Sequence, residues 1–224
     1  MKISVVSKIL EANDKLAAEN RKALDASGIY SINLMSAPGA GKTTLLTRTI
    51  TALGDSLRIG VIEGDIQGTY DAEVIGALNV AVTQINTGGA CHLDASMIND
   101  AMNEMPLDDL DLLVIENVGN LVCPAEFNVG EHIKVMLLSL TEGHDKPLKY
   151  PLMFQESSAL VINKMDLAPY VDADPAKIKR DALSLNPSLK IFEVSSKTGQ
   201  GIDQWVDWLK ETHSLHNKNA GITL

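Results

Sequence analysis

The sequence predicts an α/β fold: a mainly parallel sheet of seven strands with helices on both faces. Three observations predict it. Seven short apolar runs are spread along the 224 residues. Helix-like stretches separate most of them. Several runs, such as Leu112-Leu113-Val114-Ile115, are apolar at every position, as strands buried on both faces must be. No repeat, low-complexity tract or linker rich in Pro, Gly or Ser divides the chain. A single core is ordinary up to roughly 250 residues, so 1–224 reads as one domain.

Taken in order, residues 1–27 form an amphipathic helix. Ile9, Ala12, Leu16, Ala17 and Leu24 fall largely at helical spacing, and Ser27-Gly28 is a natural stop. The apolar runs place strands at 29–35, 57–62, 80–85, 110–115, 135–140, 159–162 and 189–194. Helix-like patterns occupy 42–53, 93–105, 174–185 and 201–212. The longest irregular stretches are 117–134 and 141–157, and loops of that length in a compact domain more often serve a ligand than stand idle. Residues 214–224 are polar without periodicity, the pattern of a flexible tail.

Composition narrows the function. An apolar share of 45% with 21% charged residues excludes intrinsic disorder. A net charge of −10 repels nucleic acid and anionic membranes, and no basic patch offsets it. No stretch approaches the ~20 apolar residues of a membrane helix, and the N-terminal segment lacks the apolar core of an export signal. The expected location is the cytoplasm, where the two cysteines, Cys91 and Cys123, stay reduced and need a role other than a disulfide.

The strand at 29–35 runs into Ser36-Ala37-Pro38-Gly39-Ala40-Gly41-Lys42-Thr43-Thr44, which opens a helix. In that context the segment is a phosphate-binding loop. Gly39, Ala40 and Gly41 let backbone N–H groups curl around phosphate oxygens, Lys42 reaches the β and γ phosphates, and the Thr43 hydroxyl suits Mg²⁺. Ser36 stands where the pattern usually has Gly. Asn163-Lys164-Met165-Asp166 follows the strand at 159–162 and reads guanine, because a carboxylate accepts from the ring N–H and the exocyclic amine together, donors that adenine does not offer. Ser195-Ser196-Lys197 resembles the loop that supports the base in GTPases. Two acidic segments, Glu63-Gly64-Asp65 and Glu116-Asn117-Val118-Gly119, follow other strands. Gly119 is placed to donate to the γ-phosphate, Glu116 to support Mg²⁺, and Asp65 to meet Mg²⁺ or the attacking water from a glycine-containing loop.

Cys91-His92 and Cys123 follow strands at the ligand edge of the sheet, where they can meet. Two thiolates and an imidazole suit Zn²⁺ or Ni²⁺ and leave a coordination position open. On the residues alone the alternative is a buried, inert thiol beside a surface histidine.

These segments together resemble the nickel-insertion GTPases of hydrogenase maturation, the HypB family, over nearly the whole chain. The most specific are Cys91-His92 and the run Asn117-Val118-Gly119-Asn120-Leu121-Val122-Cys123-Pro124. The resemblance implies GTP hydrolysis to GDP and a homodimer when nucleotide is bound. It further implies a nickel or zinc site from Cys91, His92 and Cys123 at the dimer interface. The implied partners are a small nickel- and zinc-binding maturation protein and, through it, the hydrogenase large subunit. Many relatives carry a His- or Cys-rich N-terminal tail, whereas 1–27 holds neither residue, so a nickel-storage role does not carry over. Three rivals remain. A urease-type metallochaperone is disfavoured by Cys123-Pro124-Ala125, which lacks a Cys-Pro-His motif. A P-loop small-molecule kinase has no need of the 163–166 tetrapeptide. In a passive metal module, GTP would leave metal affinity unchanged.

Overall fold

The structure, a computed structural model, describes residues 3–66 and 68–219, with the side chains of 3–9 and 219 outside that description. A long helix α1 (Ile3–Ala26) leads into β1 (Tyr30–Ser36), α2 (Lys42–Leu53), β2 (Ile59–Asp65), α3 (Tyr70–Gly76), β3 (Ala81–Asn86) and α4 (Ala95–Asn103). Then come β4 (Leu112–Glu116), α5 (Cys123–Glu126), β5 (Ile133–Ser139), α6 (Lys146–Lys149) and α7 (Pro151–Gln155). The chain closes with β6 (Ala159–Asn163), α8 (Pro175–Leu185), β7 (Lys190–Glu193) and α9 (Ile202–Asn219). All seven strands are parallel, in the order β3-β2-β4-β1-β5-β6-β7.

The continuous apolar runs are explained by two-sided burial. Along β4, Leu112 and Val114 join a core with Leu45, Leu46 and Ile50 of α2, Ile75 of α3 and Trp205 and Leu209 of α9. Leu113 and Ile115 point the other way, toward Leu24 of α1 and Ile98 and Met102 of α4. On that second face Met136, Leu138, Leu160 and Ile162 pack with Met153 and Phe154 of α7 and Ile178 of α8. Helix ends follow the local chemistry: Asp94 accepts the Met97 N–H at 2.9 Å to start α4, and Asp174 accepts from Ala176 ahead of α8, whose first residue is Pro175.

The expectations differ from the structure at five places. The segment 63–65 is not a loop: Glu63, Gly64 and Asp65 are the last residues of β2, because Glu63 continues the ladder opposite Glu116. The stretches 117–134 and 141–157 carry short helices, and α3 has no counterpart among the expected elements. The tail expected over 214–224 is helical as far as Asn219, and 220–224 lie outside the described residues. The buried residue of that stretch is polar Asn217, next to buried His213 just ahead of it, so an apolar periodicity could not reveal it. Among the described residues no helix is long and apolar enough to cross a membrane.

Candidate functional site

In a parallel sheet every loop leaving a strand's C-terminal end meets at one edge, and the candidate residues gather there. The turn after β1 bends through Gly39 (φ 72°) and Gly41 (φ 100°), and α2 begins at Lys42. Gly41 is required twice over. Its φ is left-handed, and a Cβ there would come within 2.7 Å of Asn163 Nδ2. Lys42 Nζ donates to Ser36 Oγ at 3.3 Å, so the serine that replaces the usual glycine holds the lysine end of the loop. Thr44 sits exposed in the first turn of α2.

Thr43 donates its hydroxyl to Glu116 Oε1 at 3.1 Å. Glu116 is buried at the end of β4, and its Oε2 has no hydrogen-bond partner; the same holds for Glu63 Oε2 on the neighbouring strand. Burial pushes Glu63 up to about 8, with Glu116, Asp65 and Asp71 adding to the rise. Burial likewise pushes Glu116 up to about 7, against the pull of Lys42 and the Thr43 bond. Ligand oxygens of Glu63, Asp65 and Asp71 lie within 4.8 Å of one another. They line a cavity of about 220 Å³ together with Pro38, Gly39, Lys42, Glu116 and Gly119. Two buried carboxylate oxygens without a proton donor beside a threonine hydroxyl suit a hard dication such as Mg²⁺. Glu63 and Asp71 were not singled out from sequence as members of this group. From sequence Glu63 is only the first residue of an acidic segment in which Asp65 takes the role, and Asp71 lies on a helix the pattern did not show.

The segment after β4 lies across the phosphate loop. Asn117 N–H donates to Leu34 O at 3.0 Å and Asn120 N–H to Ser36 O at 2.7 Å. Gly119 passes so close to Pro38 that a Cβ would sit 2.9 Å from its Cα. Asn120 then reaches the second cluster, donating from Nδ2 to Cys91 O at 3.3 Å while accepting the Val122 N–H at 2.8 Å.

In that second cluster Cys91 Sγ lies 3.2 Å from Cys123 Sγ and 3.7 Å from His92 Nδ1. The strands ahead of the two cysteines are separated by β2, and the 117–123 segment closes the gap. Cys91 is exposed and Cys123 partly so, which removes the reading of a buried, inert thiol. The His92 ring packs on Phe127 with centroids 4.0 Å apart, and burial lowers its pKa, keeping the imidazole neutral and its lone pair available. The Cys91 contact and burial push the Cys123 thiol up, so a soft cation that replaces the shared proton would be bound in competition with protons.

The residues expected to read the base form the third group. Asn163 donates from Nδ2 to Ala40 O at 3.0 Å and accepts Ser196 N–H and Oγ–H at 3.0 and 2.9 Å. Lys164, itself at φ 62°, donates to Gly39 O at 2.7 Å. Ser195 Oγ donates to Asp166 Oδ1 at 2.6 Å, orienting the carboxylate. Lys197 continues this strip. A further cluster, Asp25, His132 and His216, sits at the opposite edge of the sheet. The Ser31 backbone N–H donates to His132 Nδ1, which places the ring proton on Nε2, facing Asp25 at 2.8 Å. That nitrogen therefore holds a proton and offers no lone pair to a metal.

The family described as CobW/HypB/UreG, nucleotide-binding domain, matches residues 31–193. The chain is 50% identical over 202 residues to the hydrogenase maturation factor HypB of Escherichia coli (strain K12), covering 90% of this chain and 70% of that protein. The crystal structure of the hydrogenase maturation factor HypB from Archaeoglobus fulgidus superposes with a TM-score of 0.86 at 43% identity, over 91% of this chain and 100% of that one. The crystal structure of HypB from Helicobacter pylori in complex with nickel gives a TM-score of 0.86 at 40% identity, over 91% and 95%.

Proposed function

This chain belongs to the CobW/HypB/UreG family and within it to the hydrogenase maturation factors HypB, and from that premise we propose that it is a GTP-hydrolysing nickel metallochaperone. It acts as one domain in the cytoplasm, and its cargo goes to the [NiFe]-hydrogenase large subunit. Its homologues carry the name of that pathway, and one was solved with nickel.

Asp166, held by Ser195, accepts the two guanine donors, and Asn163 with Lys164 ties the base end to the phosphate loop. The N–H groups of 39–43 and the Lys42 ammonium neutralise the β and γ phosphates, and Gly119 offers its N–H to the γ-phosphate. Thr43, Asp65 and Glu116, with Glu63 and Asp71 beside them, would hold Mg²⁺, which when bound offsets charge on the phosphate oxygens. Asp65 orients the attacking water. Each residue does positional or electrostatic work, as phosphoryl transfer requires.

Nickel, with zinc as a competitor, is taken by Cys91, His92 and Cys123, a soft set that suits neither Mg²⁺ nor Ca²⁺. Three ligands leave room for a donor from a second copy in a GTP-dependent homodimer, or from a small nickel- and zinc-binding maturation protein. The observation that carries the proposal is the 116–123 segment. At one end Glu116 bonds Thr43; in the middle Asn120 bridges Ser36 and Cys91; at the far end sits Cys123. A shift at the γ-phosphate would therefore move a metal ligand. By linkage, whatever factor GTP applies to nickel affinity, nickel applies to GTP affinity, typically 1 to 3 kcal/mol. Titrating Ni²⁺ calorimetrically into the GDP and GTP-analogue states, with molecular mass measured alongside, should give different affinities and a dimer in the analogue state. Cys123→Ala should lose the tight site. Equal affinities in both states, with normal binding by Cys123→Ala, would remove the metallochaperone reading.

A further inference from the structure

The base-reading strip is anchored to the phosphate-loop helix by a side chain outside every motif. Arg48, on α2, donates from Nε to Ser196 O at 2.9 Å and from Nη2 to Lys197 O at 3.0 Å. The strip in turn fixes both base-reading side chains, since Ser196 donates twice to Asn163 Oδ1 and Ser195 donates to Asp166 Oδ1. Asn163 and Lys164 close the circuit on the carbonyls of Ala40 and Gly39, at the start of the same helix. Phosphate loop, α2, Arg48, strip and tetrapeptide thus form a closed ring of bonds, and Arg48 is its link from helix to strip.

We propose that Arg48 is a specificity-positioning residue: by gripping two successive carbonyls it holds Ser195 where that serine aims the Asp166 carboxylate at guanine. The proposal rests on the guanine reading above. An arginine suits the task because one planar fork presents two N–H groups at a fixed spacing, whereas a lysine offers a single point of attachment. The two bonds to guanine demand a carboxylate nearly coplanar with the base. A strip free to drift lets that carboxylate turn out of the plane, and the bond to the exocyclic amine weakens with it. Arg48 is a positioning residue, acting through Ser195 and Asp166.

The measurement is competition binding of GTP against inosine triphosphate, which lacks only that exocyclic amine, for the native chain, Arg48→Lys and Arg48→Ala, with melting temperatures in parallel. The native chain should prefer GTP. Arg48→Ala should lower the preference roughly fivefold, the factor that a net hydrogen bond supplies, and Arg48→Lys should fall between. A preference unchanged in both variants, even with a lowered melting temperature, would make Arg48 a surface anchor and overturn the proposal. Should Arg48→Ala not fold, the lysine variant carries the same comparison. Absence of any GTP preference in the native chain would instead bring down the guanine reading itself, whatever Arg48 does.

Discussion

At the scale of single residues, charge and its burial decide what each group does. Lys42 and Asp65 face the same cavity but should fail differently when removed. Lys42→Ala deletes the ammonium assigned to the phosphates and should abolish tight GTP binding. Asp65→Ala leaves the phosphate loop and base pocket intact and should mainly lower hydrolysis, by a factor on the order of 10² or more if it orients water. Equilibrium binding and single-turnover hydrolysis separate the two; normal hydrolysis by Asp65→Ala would end its assignment. Asp166→Asn should cost roughly 1.5 to 3 kcal/mol per charge-assisted bond and shift preference toward xanthosine triphosphate. Competition binding reads that outcome directly.

At the scale of elements, helices are held by buried polar pins as well as by apolar faces. Asn20 of α1 is fully buried and donates to Ala95 O at 2.8 Å and Val129 O at 3.0 Å, while its Oδ1 accepts from Asn99 at 2.9 Å. It joins α1 to α4 and to the approach to β5. Asn20→Ala leaves those groups unsatisfied and should destabilise the chain by about 2 to 3 kcal/mol. On the other face Trp205 fills the space between α9 and α2 and donates from Nε1 to Thr49 Oγ1 at 2.9 Å. Trp205→Ala should cost about 3 to 5 kcal/mol by opening a cavity. Denaturant midpoints at constant m-value test both.

For the whole molecule, the two edges of the sheet titrate in opposite senses. At the edge away from the nucleotide, burial lowers His132 to about 4 despite the Asp25 bond, and also lowers His213 and His216. These groups are neutral when folded and take up protons when unfolded near the ordinary histidine value. The His132 contribution is present above about pH 6.5 and is lost as pH falls toward 4, and His213 and His216 act in the same direction. At the nucleotide edge Glu63 and Glu116 have raised values, so the folded chain binds more protons than the unfolded one above pH ~4.5. Stability there declines as pH rises toward 7 and 8. Nucleotide-free melting temperatures should therefore peak on the mildly acidic side of neutrality. Glu63→Gln should flatten the alkaline limb and His132→Gln the acidic one. A profile unchanged by either substitution would show that other groups set the pH dependence.

Sequence signals by themselves were enough for the seven strands, their mainly parallel arrangement and the phosphate loop, and they single out 163–166 as the segment expected to read guanine. Those signals are local: two-sided apolar runs, and glycines, lysine and aspartate at fixed spacing beside a strand end. The family was legible for the same reason, since its most specific stretches are contiguous. Tertiary structure alone decided the rest. Glu63 became one of a buried acidic pair only because β2 lies in register with β4. Asp71 joined that cavity from a helix with no sequence signature, and Arg48 met the 196–197 carbonyls across a separation of 148 residues and more. At the end of α9, His213 and His216 pack on Tyr30 of β1, His216 faces Asp25 of α1, and Asn217 is buried beside His213. Each depends on contacts between segments remote in the chain, and periodicity and composition carry no record of such contacts.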